Sequence, residues 1–147
     1  MAVNKVKITT INSIISRASN LKTREEKIDY LRECNSLALR DVLKGSYDDS
    51  IQFILPEGEP PFEKADANRP PSSLLKMSKQ FRFFVSGGPG ERLPLAKIEN
   101  MFITVLQSIH PDDAQLVILM KDKKVAERYK GLTKKIVSDA FPGLISK

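Results

Sequence analysis

The chain has 147 residues, is 41% hydrophobic and 29% charged, and carries a formal net charge of +6 at pH 7. That balance suits one folded globular domain and argues against wholesale disorder. No apolar run approaches the roughly 18 residues a membrane-spanning helix needs, and MAVNKVKITTINSII has neither a long apolar region nor a small-residue cleavage site, so no membrane segment and no signal peptide are expected.

In chain order, Ile8, Ile11, Ile14, Ile15 and Ala18 fall on one stripe and predict a first helix over about residues 9 to 18. Thr23-Arg24-Glu25-Glu26 matches a capping box, in which Thr23 accepts the amide of Glu26 while Glu26 reaches back. The helix it opens presents Ile28, Leu31 and either Tyr30 or Cys34 to the core. Asn35 and Ser36 are good caps for a third short helix through Leu37, Leu39, Val42 and Leu43, with Gly45 as its left-handed stop.

Residues 46–72 differ in kind. Ile51, Phe53 and Leu55 alternate with their neighbours, as a short extended segment or edge strand does. LPEGEPPFEKADANRPPSS then holds five of the nine prolines, and proline removes amide donors and fixes φ. This stretch reads as an extended connector between an N-terminal and a C-terminal helical group.

Beyond it, Ser72 or Ser73 caps a helix to about Val85, with Leu74, Met77, Phe81, Phe84 and Val85 on its apolar side. Lys76, Lys79 and Arg82 repeat every three residues on another side. Gly87-Gly88-Pro89-Gly90 breaks the chain, and Pro94 suits the first turn of the next helix. Leu95, Ile98, Met101, Phe102, Val105, Leu106 and Ile109 follow steps of three and four, the strongest helical pattern in the chain. Pro111-Asp112-Asp113 opens a helix through Leu116, Val117, Leu119 and Met120, its carboxylates at the positive end of the dipole. Gly131 and Thr133 reset the chain for a last helix through Ile136, Val137, Ala140 and Phe141, closed by Pro142-Gly143.

Catalytic chemistry has little to draw on. His110 is the only histidine, so any Ser-His-Asp or Cys-His-Asn arrangement would depend on it, and its place before Pro111 reads as a helix boundary. Cys34 is the only cysteine; it excludes an internal disulfide, fits a reducing compartment and reads as a small core or subsurface residue. A zinc site would need further cysteines or histidines. Asp112 and Asp113 point about 100° apart on a helix and are explained by its dipole. The GGPGER loop lacks the Gly-Lys-Ser/Thr ending of a phosphate-binding loop. No catalytic, metal or cofactor site is expected.

The charge is one-sided. Residues 1–73 hold 11 basic and 11 acidic side chains, residues 74–147 hold 13 basic and 7 acidic, and seven bases lie between Lys121 and Lys135. Such an excess favours an anionic partner, such as nucleic acid, an acidic protein face or a membrane surface, of which the first two are the expected partners. The candidate contacts are Lys76, Lys79, Arg82, Lys121, Lys123, Lys124, Arg128, Lys130, Lys134 and Lys135, with Phe81, Phe83 and Tyr129 nearby as aromatics able to stack on a base. No helix-turn-helix, zinc-finger or RNA-recognition signature accompanies them.

The segments SSLLKMSKQFRFFV, MFITVLQSIHPDDAQLVILMKDKK and GLTKKIVSDAFPGL, with REEKIDYLRECNSLALRDVLKGSYD and FILPEGEPPF upstream, resemble a family of small proteins of T4-like tailed phages, especially cyanophages and other marine myophages. The resemblance runs from about residue 24, its most specific part being Ile109 to Ala114 followed by Met120 to Lys124. It implies a phage product acting in the host cytoplasm or carried in the virion, and it brings no activity or cofactor. The sequence therefore predicts a mainly α-helical single domain over residues 1–147, with about five to seven short helices, helical groups at 1–45 and 73–147, an extended proline-rich connector at 46–72 and one candidate short strand. The expected function is a non-enzymatic binding protein for an anionic partner, or alternatively a structural or assembly component of the virion.

Overall fold

The computed structural model describes residues 9–146, so Ile8 of the first stripe lies outside the described residues. The protein is mainly helical, with eight α-helices among the described residues: α1 (Ile11–Asn20), α2 (Arg24–Glu33), α3 (Leu37–Tyr47), α4 (Leu74–Met77), α5 (Leu95–Ser108), α6 (Pro111–Lys121), α7 (Val125–Arg128) and α8 (Lys134–Ala140). Strand character among these residues is a single antiparallel bridge between Phe53 and Val85, where Ile54 donates to the Phe84 carbonyl at 2.9 Å and Ser86 to that of Gln52 at 2.7 Å. Side-chain caps fix the helix starts. Thr10, Thr23, Ser36, Ser73 and Thr133 each accept an amide three residues on.

Helix α6 is the centre. Ala114, Leu116, Val117, Ile118 and Met120 are all buried, while Asp112 and Gln115 stay exposed and Leu119 partly so, a narrow polar stripe on an otherwise buried helix. Helices α1, α3, α5 and α7 all pack on it, while α2 bridges α1 and α8. The stripe Ile98, Phe102, Val105, Leu106 and Ile109 lies in the same core as Leu116, Val117 and Met120. Phe102 meets Phe84 edge to face, with ring centroids 5.3 Å apart. The helical groups on either side of the connector share this one core.

Four local expectations need correcting. Gly45 is not a left-handed stop: it lies inside α3, which runs on to Tyr47. Its missing side chain lets α3 approach α6, because a Cβ there would come within 2.8 Å of the Met120 sulfur. The single helix expected to Val85 is instead α4 followed by a 3-10 helix over Ser78–Phe83. With three residues per turn, that winding stacks the buried Ser78, Phe81 and Phe84 on one edge. Leu95, assigned to the apolar stripe, is half exposed. The short helix α7 had no counterpart in the expected elements.

Because Phe102 is 2% exposed, Phe102→Ala should cost about 3–5 kcal/mol. Chemical denaturation would read this as a lowered midpoint at unchanged slope.

Candidate functional site

The ten candidate cations divide into those spent inside the fold and those left to solvent. Lys121 is buried; its ammonium donates to the carbonyls of Pro56 at 2.7 Å and Gly58 at 3.0 Å and pairs with Asp122 at 2.5 Å. Asp122 in turn accepts the Gly58 amide at 3.2 Å, so this corner of α6 clamps the start of the connector. Lys121 is therefore a structural cation with no access to a phosphate.

Lys123 also turns inward. Its ammonium donates to the carbonyls of Gly45 at 2.5 Å and Asp48 at 3.0 Å and lies 5.5 Å from the centre of the Phe53 ring. It stands at φ +59, in the left-handed region where glycine usually closes a helix. Around it the Lys124 backbone amide donates to the Leu119 carbonyl at 2.8 Å and the Lys123 amide to that of Met120 at 3.1 Å, the paired bonds of a Schellman stop. The lysine thus ends α6 with its backbone and caps α3 with its side chain. Burial pushes its ammonium down, opposed by the charges of Asp48 and Asp49.

Asp48, which no local sequence pattern singled out, organises the same corner. Its buried carboxylate accepts from the Ser50 amide and hydroxyl at 2.9 and 2.7 Å, from Lys44 at 3.1 Å and from the Ser146 amide at 3.0 Å. Burial alone would raise its pKa, but these donors outweigh burial and hold the carboxyl well below the usual carboxylate range. The C-terminal tail is anchored here, with the Leu144 carbonyl also accepting from Lys44 at 2.8 Å.

Two more cations have carboxylate partners at the surface, Lys124 with Glu57 at 3.0 Å and Lys134 with Asp49 at 2.9 Å. Lys76, Lys79, Arg82, Arg128, Lys130 and Lys135 are exposed and make no ion pair among the described residues. They do not form one patch. Arg128 and Lys130 line a groove of about 620 Å³ between α1 and the α7–α8 loop, with Asn12, Ser16, Ser19 and Asn20 opposite. Tyr129 lies in it half-buried, its hydroxyl bonded to Asn12. Glu127 is the one acid on its lining. Lys79 and Arg82 line a different groove, with no residue in common. Phe83, read as an aromatic off the apolar stripe, is half-buried and covered by Arg82, whose guanidinium lies 5.0 Å from the ring centre.

His110 is the N-cap of α6, its Nδ1 accepting the Asp112 amide at 3.0 Å. Asp113 is buried and reaches outside its own helix to the first amides of α1, accepting from Asn12 at 2.8 Å and Ile11 at 3.4 Å. Burial pushes its carboxyl up, against the pull of those two amides. Among the described residues no group of three or more His, Cys, Asp or Glu side chains is placed to hold a metal ion, and no helix is long and apolar enough to cross a membrane.

These features define an all-α protein built around one largely buried helix, with four of its free cations on two separate grooves. Residues 14–127 match the Family of unknown function (DUF6433), and the chain belongs to that family. Lys79 and Arg82 fall within the matched residues, Arg128 to Lys135 beyond them. A search of curated proteins finds no significant match.

Two measurements test this corner. Asp48→Asn should cost about 2 kcal/mol or more at neutral pH, since bonds to a charged acceptor are each worth about 1.5–3 kcal/mol. A carboxyl whose folded pKa is depressed stabilises the fold above its unfolded pKa of about 4 and loses that contribution as pH falls. The gap between wild type and variant should therefore narrow in unfolding curves taken at pH 3. At position 123, both Lys123→Ala and Lys123→Gly lose the carbonyl contacts, but only alanine keeps the left-handed strain. Glycine should be the less damaging by about 1 kcal/mol in the same assay.

Proposed function

We propose that this chain is a non-enzymatic binding protein that engages nucleic acid through the groove between α1 and the α7–α8 loop. The observation carrying the reading is that groove's chemistry. Two exposed cations with no carboxylate partner among the described residues, Arg128 and Lys130, face a wall of amides and hydroxyls from Asn12, Ser16, Ser19 and Asn20. Guanidinium and ammonium groups attract phosphates, and amides can bond to sugar or base edges. Lys135 adds exposed positive charge on α8 close by in the chain. An acidic protein face is less well matched, because such interfaces bury an apolar centre and this groove offers little.

A binding role also fits the use made of the nucleophile and base candidates. His110 has a ring nitrogen committed to a helix amide, and Cys34 is half-buried at the end of α2. The setting we propose rests on the resemblance to proteins of T4-like phages: a product working in the host cytoplasm, with packaging in the virion as the alternative. Stoichiometric copies in purified particles would favour the virion role, and their absence the intracellular one.

Binding to single-stranded and duplex oligonucleotides should weaken steeply with salt. Each phosphate contact adds about 0.7 to the log-log slope on single strands and about 0.9 on duplex. Arg128→Ala with Lys130→Ala should flatten the slope by up to about two, whereas Lys124→Ala, at a cation already paired with Glu57, should change it less. Fluorescence-anisotropy titrations at several salt concentrations read both. An unchanged slope in the double variant, or no binding at low salt, sinks this reading.

A further inference from the structure

The second groove has opposite chemistry. It lies between α3 and the 3-10 helix, encloses about 550 Å³, and is lined mainly by apolar groups, among them Leu37, Ile51, Phe81 and Val85. Leu37 is 44% exposed, and Leu75 nearby on α4 is 53% exposed. Lys79 and Arg82 stand along it in a row, because three-residue winding brings positions three apart onto one edge where an α-helix would splay them.

The charge on its lining is positive once internal pairs are counted. Lys44 is committed to Asp48 and the Leu144 carbonyl. Asp41 lines the same wall, half-buried and without an ion pair among the described residues, so it offsets only one of the two cations that follow. Lys79 and Arg82 have no carboxylate partner among the described residues. An apolar trough edged by two unpaired cations matches a ligand that is apolar in the middle and anionic at its flank. Nucleic acid matches poorly, since the floor is aliphatic and Phe81 is too buried to stack on a base.

We infer that this groove docks an acidic amphipathic segment of a partner protein, seating two or three aliphatic or aromatic side chains on Leu37, Ile51 and Val85 and setting Asp or Glu residues against Lys79 and Arg82. Amphipathic segments bind apolar grooves through such anchors at helical spacing, and charge at the rim sets orientation and partner choice. The surface is separate from the proposed nucleic-acid groove, so the protein would join two different ligands.

Selection of a displayed random-peptide library against the intact protein tests this. The expected result is enrichment of sequences combining Leu, Ile, Phe or Met with Asp and Glu. Synthetic copies of the winners should bind Lys79→Glu/Arg82→Glu at least tenfold more weakly, and Leu37→Glu likewise. All three positions are exposed, so thermal melts should show that the variants fold. Arg128→Ala/Lys130→Ala should leave peptide affinity unchanged, which separates this proposal from the nucleic-acid one. Enriched peptides without acidic residues, peptides indifferent to the charge reversal, or a selection yielding no binder would each overturn it. So would displacement of the peptide by an oligonucleotide that still binds Arg128→Ala/Lys130→Ala, because the groove would then be a nucleic-acid site.

Discussion

Burying all but a narrow stripe of a helix creates a problem at its ends, and the way α6 solves it arranges the remainder of the molecule. A charged group taken out of water must be paired or hydrogen-bonded, at a cost of several kcal/mol otherwise. Helix α6 carries Asp113 in its first turn and Lys121 in its last, both buried. Asp113 finds donors in the unsatisfied amides that open α1, so that helix is pinned to the head of α6. Lys121 finds acceptors in Pro56 and Gly58, which fixes the connector across its tail. Lys123, just past the stop, takes carbonyls at the end of α3. Each charge that α6 cannot leave bare thereby locates another element.

The same logic explains why a proline-rich segment lies ordered against a helical core. Prolines supply carbonyls without competing amides, and a buried ammonium needs acceptors that nothing else claims. Two amides of the stretch meet side chains of the core helices, Gly58 at Asp122 and Glu63 at Gln107, where the latter bond is 3.1 Å. Farther on, the Ser72 amide reaches the Ser108 carbonyl at 2.7 Å, at the end of α5. The connector is therefore a strap across α5 and α6, fastened at both ends.

What the sequence made legible follows from the range of the interactions involved. Caps at Thr23, Ser36 and Thr133 act over three residues, and the α5 stripe repeats within one helix, so both can be read from local pattern. The helical class followed from the same periodicities. The roles of Lys121, Lys123 and Asp48 were not legible, because a lysine in a basic run looks alike whether its ammonium meets water or a carbonyl more than sixty residues away. Gly45 misled for a related reason: a glycine near a helix end commonly marks a left-handed stop, whereas here the demand came from Met120 on another helix. The 3-10 winding was masked because Leu74, Met77, Phe81 and Phe84 satisfy an α-helical stripe equally well.

That winding bears directly on function. Composition presents the bases of the C-terminal half as one population, and a single anionic surface is the simplest inference from it. Packing divides them by what each can still reach. Cations near the corner of α3 and α6 are consumed by carbonyls and carboxylates, and so add to stability while contributing little to the outward field. Four of those that remain face two unlike walls, one of amides and hydroxyls beside Arg128 and Lys130, one of aliphatic carbon beside Lys79 and Arg82. A cation's selectivity is set largely by its neighbours, since a phosphate and a carboxylate present similar charge while nucleotides and amphipathic peptides present very different surroundings. The net charge of +6 is therefore a poor guide to partner, and the character of the wall beside each free cation is the better one.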